Sequence, residues 1–406
     1  MAEYELRPIR ADETEAYARA VGEAFQFDPR DDELALWREM IEPERTLAAF
    51  AGEAIVATSE LISMRIAIPG AVVPMAGVSA VGVHAVHRRR GLLDRMMRRH
   101  LDAIHEHGEE VLATLWASEA GIYGRFGFGT AVRVSELSVR SAEAVLTAVP
   151  EARPRAGTPA ALLADMKTVH DAFFGARPGM IARDARAWKA ATIDLEGDRE
   201  GAGRLRALIF DGAGGPEGYA LFAVRKQETE GRPDDVIVLH ELVALTAVAR
   251  ASLWEHLLRM SLSRTVRWSR APLDDELAHM LTDSGAVTAK VDDGLFVRLV
   301  DVSAALEART YSAPVDVVLE VSDAVCPWNA RRWRLAGDAT GATCERSAAP
   351  ADLALSACEL GAAFLGGTTL AALTAAGRVE ERTAGAAASA SRAFKAEREP
   401  WCFEQF

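Results

Sequence analysis

The stretch that decides the fold is residues 81–93, which read VGVHAVHRRRGLL. Its first three residues are typical of a strand, Arg88 and Gly91 form an Arg-x-x-Gly turn, and residues 92–107 have the pattern of a long helix that ends at Gly108. Backbone N–H groups at the start of a helix point outward and, together with the helix dipole, bind phosphate. The stretch therefore predicts an α/β fold with an anion-binding turn. The alternative is a charged helix start on a solvated face.

The residues around this stretch predict two helices followed by an antiparallel run of strands. The expected elements are a strand at 3–9, helices at 13–25 and 31–40, strands at 46–50, 54–68, 78–84 and 111–116, a short helix at 120–125 and a strand at 132–139. Residues 150–159 are rich in Pro, Gly, Ala and Arg, which favours a domain boundary there.

The length of 406 residues predicts two or three domains, because one hydrophobic core rarely serves so long a chain. We expect domains at residues 1–150, 151–290 and 291–406. The second repeats the strand, helix, strand order of the first, but its junction at 245–250, LTAVAR, has no glycine and is not expected to bind a pyrophosphate. The third is expected to be an apolar α+β module.

Composition excludes several classes of protein. The net charge of −13 argues against nucleic acid as a partner and favours cationic small molecules or basic protein segments. No apolar run of about 18 residues occurs and the first ten residues do not resemble a signal peptide, so we expect a cytoplasmic protein with no membrane segment. The four cysteines show neither C-x-x-C spacing nor scaffold density and are expected to be free thiols. The histidine pairs 84/87 and 105/107 lack completing ligands, so no metal site is predicted.

A second motif and an unusual C-terminus add candidate chemistry. Residues 118–128 read SEAGIYGRFGF, and the phenol of Tyr123, protonated at neutral pH, could donate a proton to a leaving thiolate. The alternative is a packed tyrosine in a cluster with Phe126 and Phe128. Residues 400–406 read PWCFEQF, and so aromatic a terminus predicts docking rather than fraying.

These segments carry a family resemblance. Arg88 and Gly91 match the acyl-CoA motif of GNAT acetyltransferases, Gln/Arg-x-x-Gly-x-Gly/Ala, although Leu93 departs from its last small position. Residues 118–128 resemble the GNAT element whose tyrosine protonates the CoA thiolate. With the aromatic tail, the chain resembles the enhanced intracellular survival family of actinobacterial acetyltransferases over essentially its full length. The resemblance implies a mixed α/β and α+β fold: tandem GNAT-like domains, the second without a CoA site, followed by a sterol-carrier-like domain. It also implies a homohexamer.

The resemblance implies acetyl-CoA as co-substrate, Tyr123 as the acid and the terminal carboxylate of Phe406 as the base. The residues implied to bind acetyl-CoA are Val81, Gly82 and Val83 at the pantetheine, Arg88, Arg89, Arg90, Gly91, Leu92, Leu93 and Asp94 at the pyrophosphate, and Ser118 and Glu119 at the acyl-CoA arm. The implied acceptors are amines of aminoglycosides, polyamine-like compounds or protein lysines. Asp28, Trp37 and Glu404, with Phe25 or Phe27, are the candidates for lining the acceptor cleft.

The function expected from these residues is direct acetyl transfer to an amine in a ternary complex. A dedicated protein lysine acetyltransferase would share this chemistry and differ only in its acceptor. The alternative from another class is a non-catalytic carrier, in which the third domain binds an apolar ligand and the first merely senses CoA. Release of free thiol from acetyl-CoA in the presence of amines distinguishes the enzyme from the carrier.

Overall fold

The computed structural model describes residues 4–406, so the first residue of the strand expected at 3–9 lies outside the described residues. The chain divides into two compact units. The first contains residues 4–132, 294–397 and 405–406, and the second contains residues 133–293 and 398–404.

The first stretch of chain, up to Val132, contains six strands and four helices among its described residues. The strands are β1 Glu5–Arg7, β2 Thr46–Ala51, β3 Ala54–Ile68, β4 Ala71–Val83, β5 Leu112–Trp116 and β6 Gly129–Thr130. The helices are α1 Thr14–Phe25, α2 Asp31–Met40, α3 Leu92–His107 and α4 Ala120–Tyr123.

The middle of the chain forms the second unit. Its strands are β7 Arg133–Arg140, β8 Arg155–Gly157, β9 Arg206–Gly212, β10 Gly215–Arg225, β11 Glu228–Thr229, β12 Arg232–Pro233, β13 Asp235–Ala244, β14 Ser263–Ala271 and β15 Val287–Asp293. Its helices are α5 Pro159–Phe174, α6 Ala185–Thr192, α7 Ala247–Leu258 and α8 Leu277–Met280.

The last stretch returns to the first unit. Its strands are β16 Leu295–Leu299, β17 Val315–Ser322, β18 Arg332–Asp338, β19 Gly341–Arg346, β20 Leu353–Ser356 and β21 Glu380–Glu381. Its helices are α9 Val302–Glu307, α10 Ala357–Phe364, α11 Leu370–Ala375 and α12 Ala386–Phe394.

The first unit contains two sheets. A seven-stranded sheet has the order β1-β2-β3-β4-β5-β16-β6, in which only β4 and β5 pair in parallel. Helix α3 buries Leu92, Met96, Met97 and Leu101 against one face, as expected for an amphipathic helix. Helix α1 packs its buried side, including Tyr17 and Val21, with residues of β2 and β3. The second sheet has the order β19-β18-β17-β20-β21.

The second unit is built around its own seven-stranded sheet of order β15-β7-β14-β13-β10-β9-β8. Here β13 and β14 form the parallel pair, and α7 connects them, so the strand, helix, strand repeat expected from the sequence is present. The middle of this unit is strongly apolar, with Trp254 and Trp268 fully buried.

Most predicted elements lie where the sequence placed them, including α2 at 31–40 and α3 at 92–107 with the left-handed Gly108 at its end. Strand β4 begins at Ala71 and is longer than the strand expected at 78–84. Pro74 and Gly77 predicted a break that the strand does not have. Strand β5 pairs with β4 only from Met75 onward, so Pro74 lies at an edge where a missing N–H is tolerated.

Two strands do not join the sheet of the domain in which they were expected. Strand β7, expected to close the first domain, pairs with β14 and β15 in the second unit. Strand β16, expected to open the third domain, pairs with β5 and β6 in the first unit. Strand pairing over such separations is set by tertiary packing, which local patterns do not report. The division at residues 150 and 290 stays a prediction.

Candidate active site

The two parallel strands of the first sheet separate after a short paired segment. Strand β4 pairs with β5 only over Met75–Gly77, opposite Leu112–Thr114, and from there to Val83 it stays paired with β3 but has no partner on its β5 side. The predicted pantetheine residues, Val81 to Val83, therefore lie on the diverging half of β4. Backbone groups facing the gap have no strand partner on that side, and buried backbone groups need a partner. A bound chain with amide groups would supply one.

A β-bulge marks the same half of β4. The register of β3 and β4 shifts so that Ser59 lies opposite both Ala80 and Val81. Ala80 has φ of 51°, a left-handed conformation that is rare for residues other than glycine, and its carbonyl accepts a hydrogen bond from Thr58 Oγ1 at 2.8 Å. The bulge redirects the backbone beside the gap, which is a frequent use of bulges at functional sites.

The start of α3 is open to an anion. Its N-cap residue is Gly91, with φ of 75°, and the helix start has no side-chain cap. The N–H groups of the first turn are therefore available to a ligand. Arg88 donates to the Val83 carbonyl at 3.1 Å and Arg90 to the Tyr4 hydroxyl at 2.8 Å, so these two guanidinium groups are held at the turn. Arg89 is exposed.

The corresponding helix of the second unit is closed. The hydroxyl of Thr246 accepts a hydrogen bond from the Ala249 N–H at 3.2 Å and donates one to Glu217 at 3.0 Å. The helix start is thus capped by its own chain and has a carboxylate beside it, which would repel phosphate. This arrangement agrees with the expectation that the glycine-free junction does not bind a pyrophosphate.

Tyr123 ends α4, the short helix that follows β5. Its side chain is 8% exposed and belongs to the same apolar cluster as Val78, and its ring meets that of Phe128 edge to face at 6.2 Å. Burial, and then the charge of Glu119, raise the pKa of the phenol, so it stays protonated at neutral pH. Tyr123 therefore has the predicted aromatic packing, and its protonated phenol remains compatible with the predicted role as proton donor.

Ser118 and Glu119 are both exposed in the link between β5 and α4.

The side chain of Arg298, on β16, packs against the turn that follows Tyr123. A Cβ atom placed on Gly127, whose φ is 85°, would lie 2.9 Å from the Arg298 guanidinium carbon. Arg298 is fully buried and pairs with Asp323 at 2.5 Å. Sequence reasoning missed this residue, since no local signal links it to the turn.

The last residue of the chain lies where β4 and β5 separate. A Cβ atom placed on Gly77, the last paired residue of β4, would lie 2.9 Å from Cε2 of Phe406 and 3.0 Å from the sulfur of Met64. The Phe406 ring therefore packs on the bare backbone of Gly77, and the side chain is half-buried. Phe406 is therefore docked on the sheet, as predicted for the tail. The sequence did not single out Gly77, whose role depends on a contact more than 300 residues away along the chain.

The residues just before it lie in the second unit. Trp401 is buried there and donates from Nε1 to the Arg270 carbonyl at 2.8 Å. Glu404, predicted to line the acceptor cleft, pairs with Arg183 at 2.8 Å; burial acts to raise the pKa of Glu404, but Arg183 and His170 together lower it. Its carboxylate thus has an intramolecular partner, and its role toward an amine stays a prediction.

The other acceptor candidates lie at the α1–α2 connection. Phe25 and Phe27 are exposed by 44% and 41%, and Phe27 meets Trp37 edge to face at 6.0 Å. Phe25 also borders the diverging half of β4, since a Cβ atom on Gly82 would lie 3.4 Å from its ring. Asp28 is exposed on the same connection. Exposed aromatic side chains grouped in this way are typical of binding surfaces.

The described residues offer neither a metal-binding cluster nor a membrane-spanning helix. Residues 4–406 contain no group of three or more histidine, cysteine or acidic side chains arranged for a metal ion. None of the helices in this part of the chain combines the length and apolar composition needed to cross a membrane. The four cysteines are free thiols, as expected, and three of them are buried.

Family models match three parts of the chain. A model described as an acetyltransferase (GNAT) domain matches residues 5–131, and another of the same description matches residues 179–299. A model described as a sterol carrier protein domain matches residues 302–403. The expected fold, two GNAT-like domains followed by a sterol-carrier-like domain, is confirmed.

Similar proteins cover nearly the whole chain. An uncharacterized N-acetyltransferase of Streptomyces avermitilis is 41% identical over 402 residues, 98% of each chain. The N-acetyltransferase Eis of Mycobacterium bovis is 31% identical over 361 residues, 85% of each chain. The crystal structure of Eis1 from Mycobacterium abscessus matches with a TM-score of 0.84 at 27% identity and covers all of both chains.

Proposed function

Because the chain belongs to the Eis family of GNAT N-acetyltransferases, we propose that its first unit transfers an acetyl group directly from acetyl-CoA to an amine in a ternary complex. The family makes the protein an acyltransferase with acetyl-CoA as co-substrate. One observation carries the finer proposal: the terminal residue packs on Gly77 at the point where β4 and β5 separate.

The donor is assigned to the gap between these strands and to the start of α3. Acetyl-CoA supplies the thioester on which the amine acts. The free N–H groups of Gly91 to Asp94 and the exposed arginines before them would hold the pyrophosphate, and the side of Val81 to Val83 that faces the gap, away from β3, would hold the pantetheine. Ser118 and Glu119, exposed between β5 and α4, would face the acyl-CoA arm.

The proton transfers are assigned to two groups of the same unit. An alkyl amine has an ordinary pKa near 10.4 and is protonated at neutral pH, so it must lose a proton before it can attack. The carboxylate of Phe406 would accept this proton, directly or through water. Tyr123, whose raised pKa keeps it protonated, would donate a proton to the departing sulfur.

The acceptor is proposed to be a small cationic amine of the aminoglycoside or polyamine class, with protein lysines as a further possibility to test. The net charge of −13 and the exposed side chains of Phe25, Phe27 and Asp28, with the half-buried Trp37 beside Phe27, support this choice. We also propose a homohexamer, which the resemblance implies, and a cytoplasmic location, which the composition favours; light scattering and cell fractionation would test them.

The decisive assay is release of free thiol from acetyl-CoA with a panel of aminoglycosides, polyamines and lysine peptides. We expect thiol release that depends on the amine, with the acetylated product detected by mass spectrometry. The carrier alternative predicts acetyl-CoA binding without amine-dependent thiol release, and that result would overturn the proposed function.

A further inference from the structure

A carboxylate of the first sheet points to a part of the acceptor site that the family pattern does not name. Glu60 is the only acidic residue inside β3 and lies opposite Ser79 of β4. The next pair on the same face is Ile62 with Gly77, because residues two apart along a strand share a face. Since Phe406 packs on Gly77, Glu60 and the terminal residue lie on the same face of the sheet.

This carboxylate has no partner in the described residues. Its Oε2 atom is buried and makes no hydrogen bond, and Glu60 forms no ion pair within residues 4–406. Burial, and then the charge of Glu42, raise the pKa of Glu60 to about 7. Glu42 accepts hydrogen bonds from the Ser63 N–H and hydroxyl, so the charge that acts on Glu60 is that of a second carboxylate.

A second unsatisfied group lies on α1, the helix that packs against β3 and β4. The hydroxyl of Tyr17, on this helix, is buried and has no hydrogen-bond partner in the described part of the chain. Burial, and then the charge of Glu60, raise the pKa of Tyr17. Two buried polar atoms without partners, one on β3 and one on the helix that packs against it, are unusual, since such atoms are nearly always satisfied in native proteins. Together they indicate a missing polar ligand.

We propose that Glu60 binds a second, non-reacting ammonium group of the acceptor. This inference rests on the proposed function and adds a specificity residue to it. An ammonium group would supply the cation and the hydrogen-bond donors that Glu60 lacks. Successive positions on one face of a strand are about 7 Å apart, so the two nitrogens of the acceptor would be separated by a short chain. The site would therefore favour diamines over monoamines.

The test compares α,ω-diaminoalkanes with monoamines of the same chain length in the full-length protein. For Glu60→Gln we expect kcat/KM on the best diamine to fall about tenfold or more, through KM, while kcat/KM on the monoamine changes less than about twofold. Glu60→Asp, which keeps the charge, should retain part of the preference. Glu53→Gln, an exposed carboxylate in the β2–β3 turn, is the matched control and should leave the preference intact. An equal loss on both substrates, or no loss, would overturn the assignment.

Equilibrium binding separates this inference from the proposed function. The diamine should bind the parent protein by calorimetry and bind Glu60→Gln about tenfold more weakly, whether or not turnover occurs. Equal binding to both proteins would overturn the role of Glu60. Absence of thiol release with every amine would instead overturn the proposed function.

Stability measurements show whether Glu60 has only a structural role. Glu60 lies opposite Ser79, and its charge interacts with those of Glu42 and of an ionised Tyr17. Its folded pKa of about 7 exceeds the ordinary value of 4.5, so the ionised carboxylate destabilises the fold increasingly as pH rises through this window. Glu60→Gln should therefore be at least as resistant to urea as the parent at pH 7 and lose its advantage as pH falls toward 4.5. A variant that is less stable at pH 7 would mean that Glu60 supports the fold, and would contradict the inference.

Discussion

Tyr123 packs its ring in the apolar cluster and keeps its phenol protonated, so the packing role and the proposed role as proton donor, which a sequence alone presents as alternatives, are compatible. Tyr123→Phe keeps the ring and removes the proton. We expect turnover to fall by about 100-fold or more with CoA affinity little changed. Because burial raises the pKa of Tyr123 above its ordinary value, any loss of activity due to its ionisation should come at a higher pH than for a free phenol. Steady-state rates and CoA calorimetry check both points, and unaltered turnover would remove the phenol from the mechanism.

Gly77 tests whether the Phe406 ring must lie where the strands separate. In Gly77→Ala the added methyl group would lie 2.9 Å from the ring, so the terminal residue must shift. We expect turnover to fall about tenfold or more, with thermal stability little changed because the displaced group is a chain end.

Two further variants test whether the lost turnover comes from displacement of the Phe406 ring. Gly77→Ala combined with Phe406→Ala removes the clash with the ring, leaves only the contact with the flexible Met64 side chain and keeps the terminal carboxylate, so it should recover part of the lost turnover. Gly214→Ala, where an added methyl group meets no atom within 4 Å, is the control and should behave like the parent. Full activity in Gly77→Ala would show that the position of the ring does not matter.

At the scale of elements, the two strand–helix junctions predict one acetyl-CoA site per chain. Helix α3 begins without a side-chain cap, whereas α7 begins with Thr246 and with Glu217 beside it. Calorimetry should therefore titrate a single CoA site in the full-length chain. Two equivalent sites would contradict the reading of the second junction as closed.

Strand β16 predicts a second element-scale effect. Arg298→Met leaves Asp323 buried without its cation and should lower the free energy of unfolding by about 3 to 5 kcal/mol. Activity should fall as well, since Arg298 supports Gly127 in the turn after Tyr123. Arg334→Met, which removes an exposed pair with Asp316, should cost about 0 to 1 kcal/mol. Equal losses of unfolding free energy in the two variants, measured by urea unfolding, would show that the buried pair stabilises the fold no more than the exposed pair.

At the scale of the whole molecule, the features that sequence could predict are local. The bounds of α2 and α3, the cap at Gly108 and the glycine turn at Gly91 follow from periodicity and helix-end chemistry, which act over a few residues. The family resemblance correctly predicted the three kinds of domain.

The features that sequence missed depend on distant contacts. Gly77 is special only because Phe406 packs on it, and Arg298 only because Gly127 lies above it. Glu60 looks like an ordinary charge in a strand until its burial without a partner is seen. The placement of β7 in the sheet of the second unit and of β16 in a sheet of the first has the same cause, since strand pairing depends on tertiary contacts between distant residues.

The central claim, that the terminal carboxylate is the base, has one direct test. Two residues added after Phe406 leave every side chain in place but move the carboxylate away from the ring that packs on Gly77. Turnover of an amine by the untagged enzyme and by the extended form should be compared at matched acetyl-CoA occupancy. We predict that the extended form loses most of its activity while still binding CoA, and that Phe406→Leu, which keeps the carboxylate in its place, loses much less. Full activity in the extended form would contradict the claim and assign the proton to another group of the first unit.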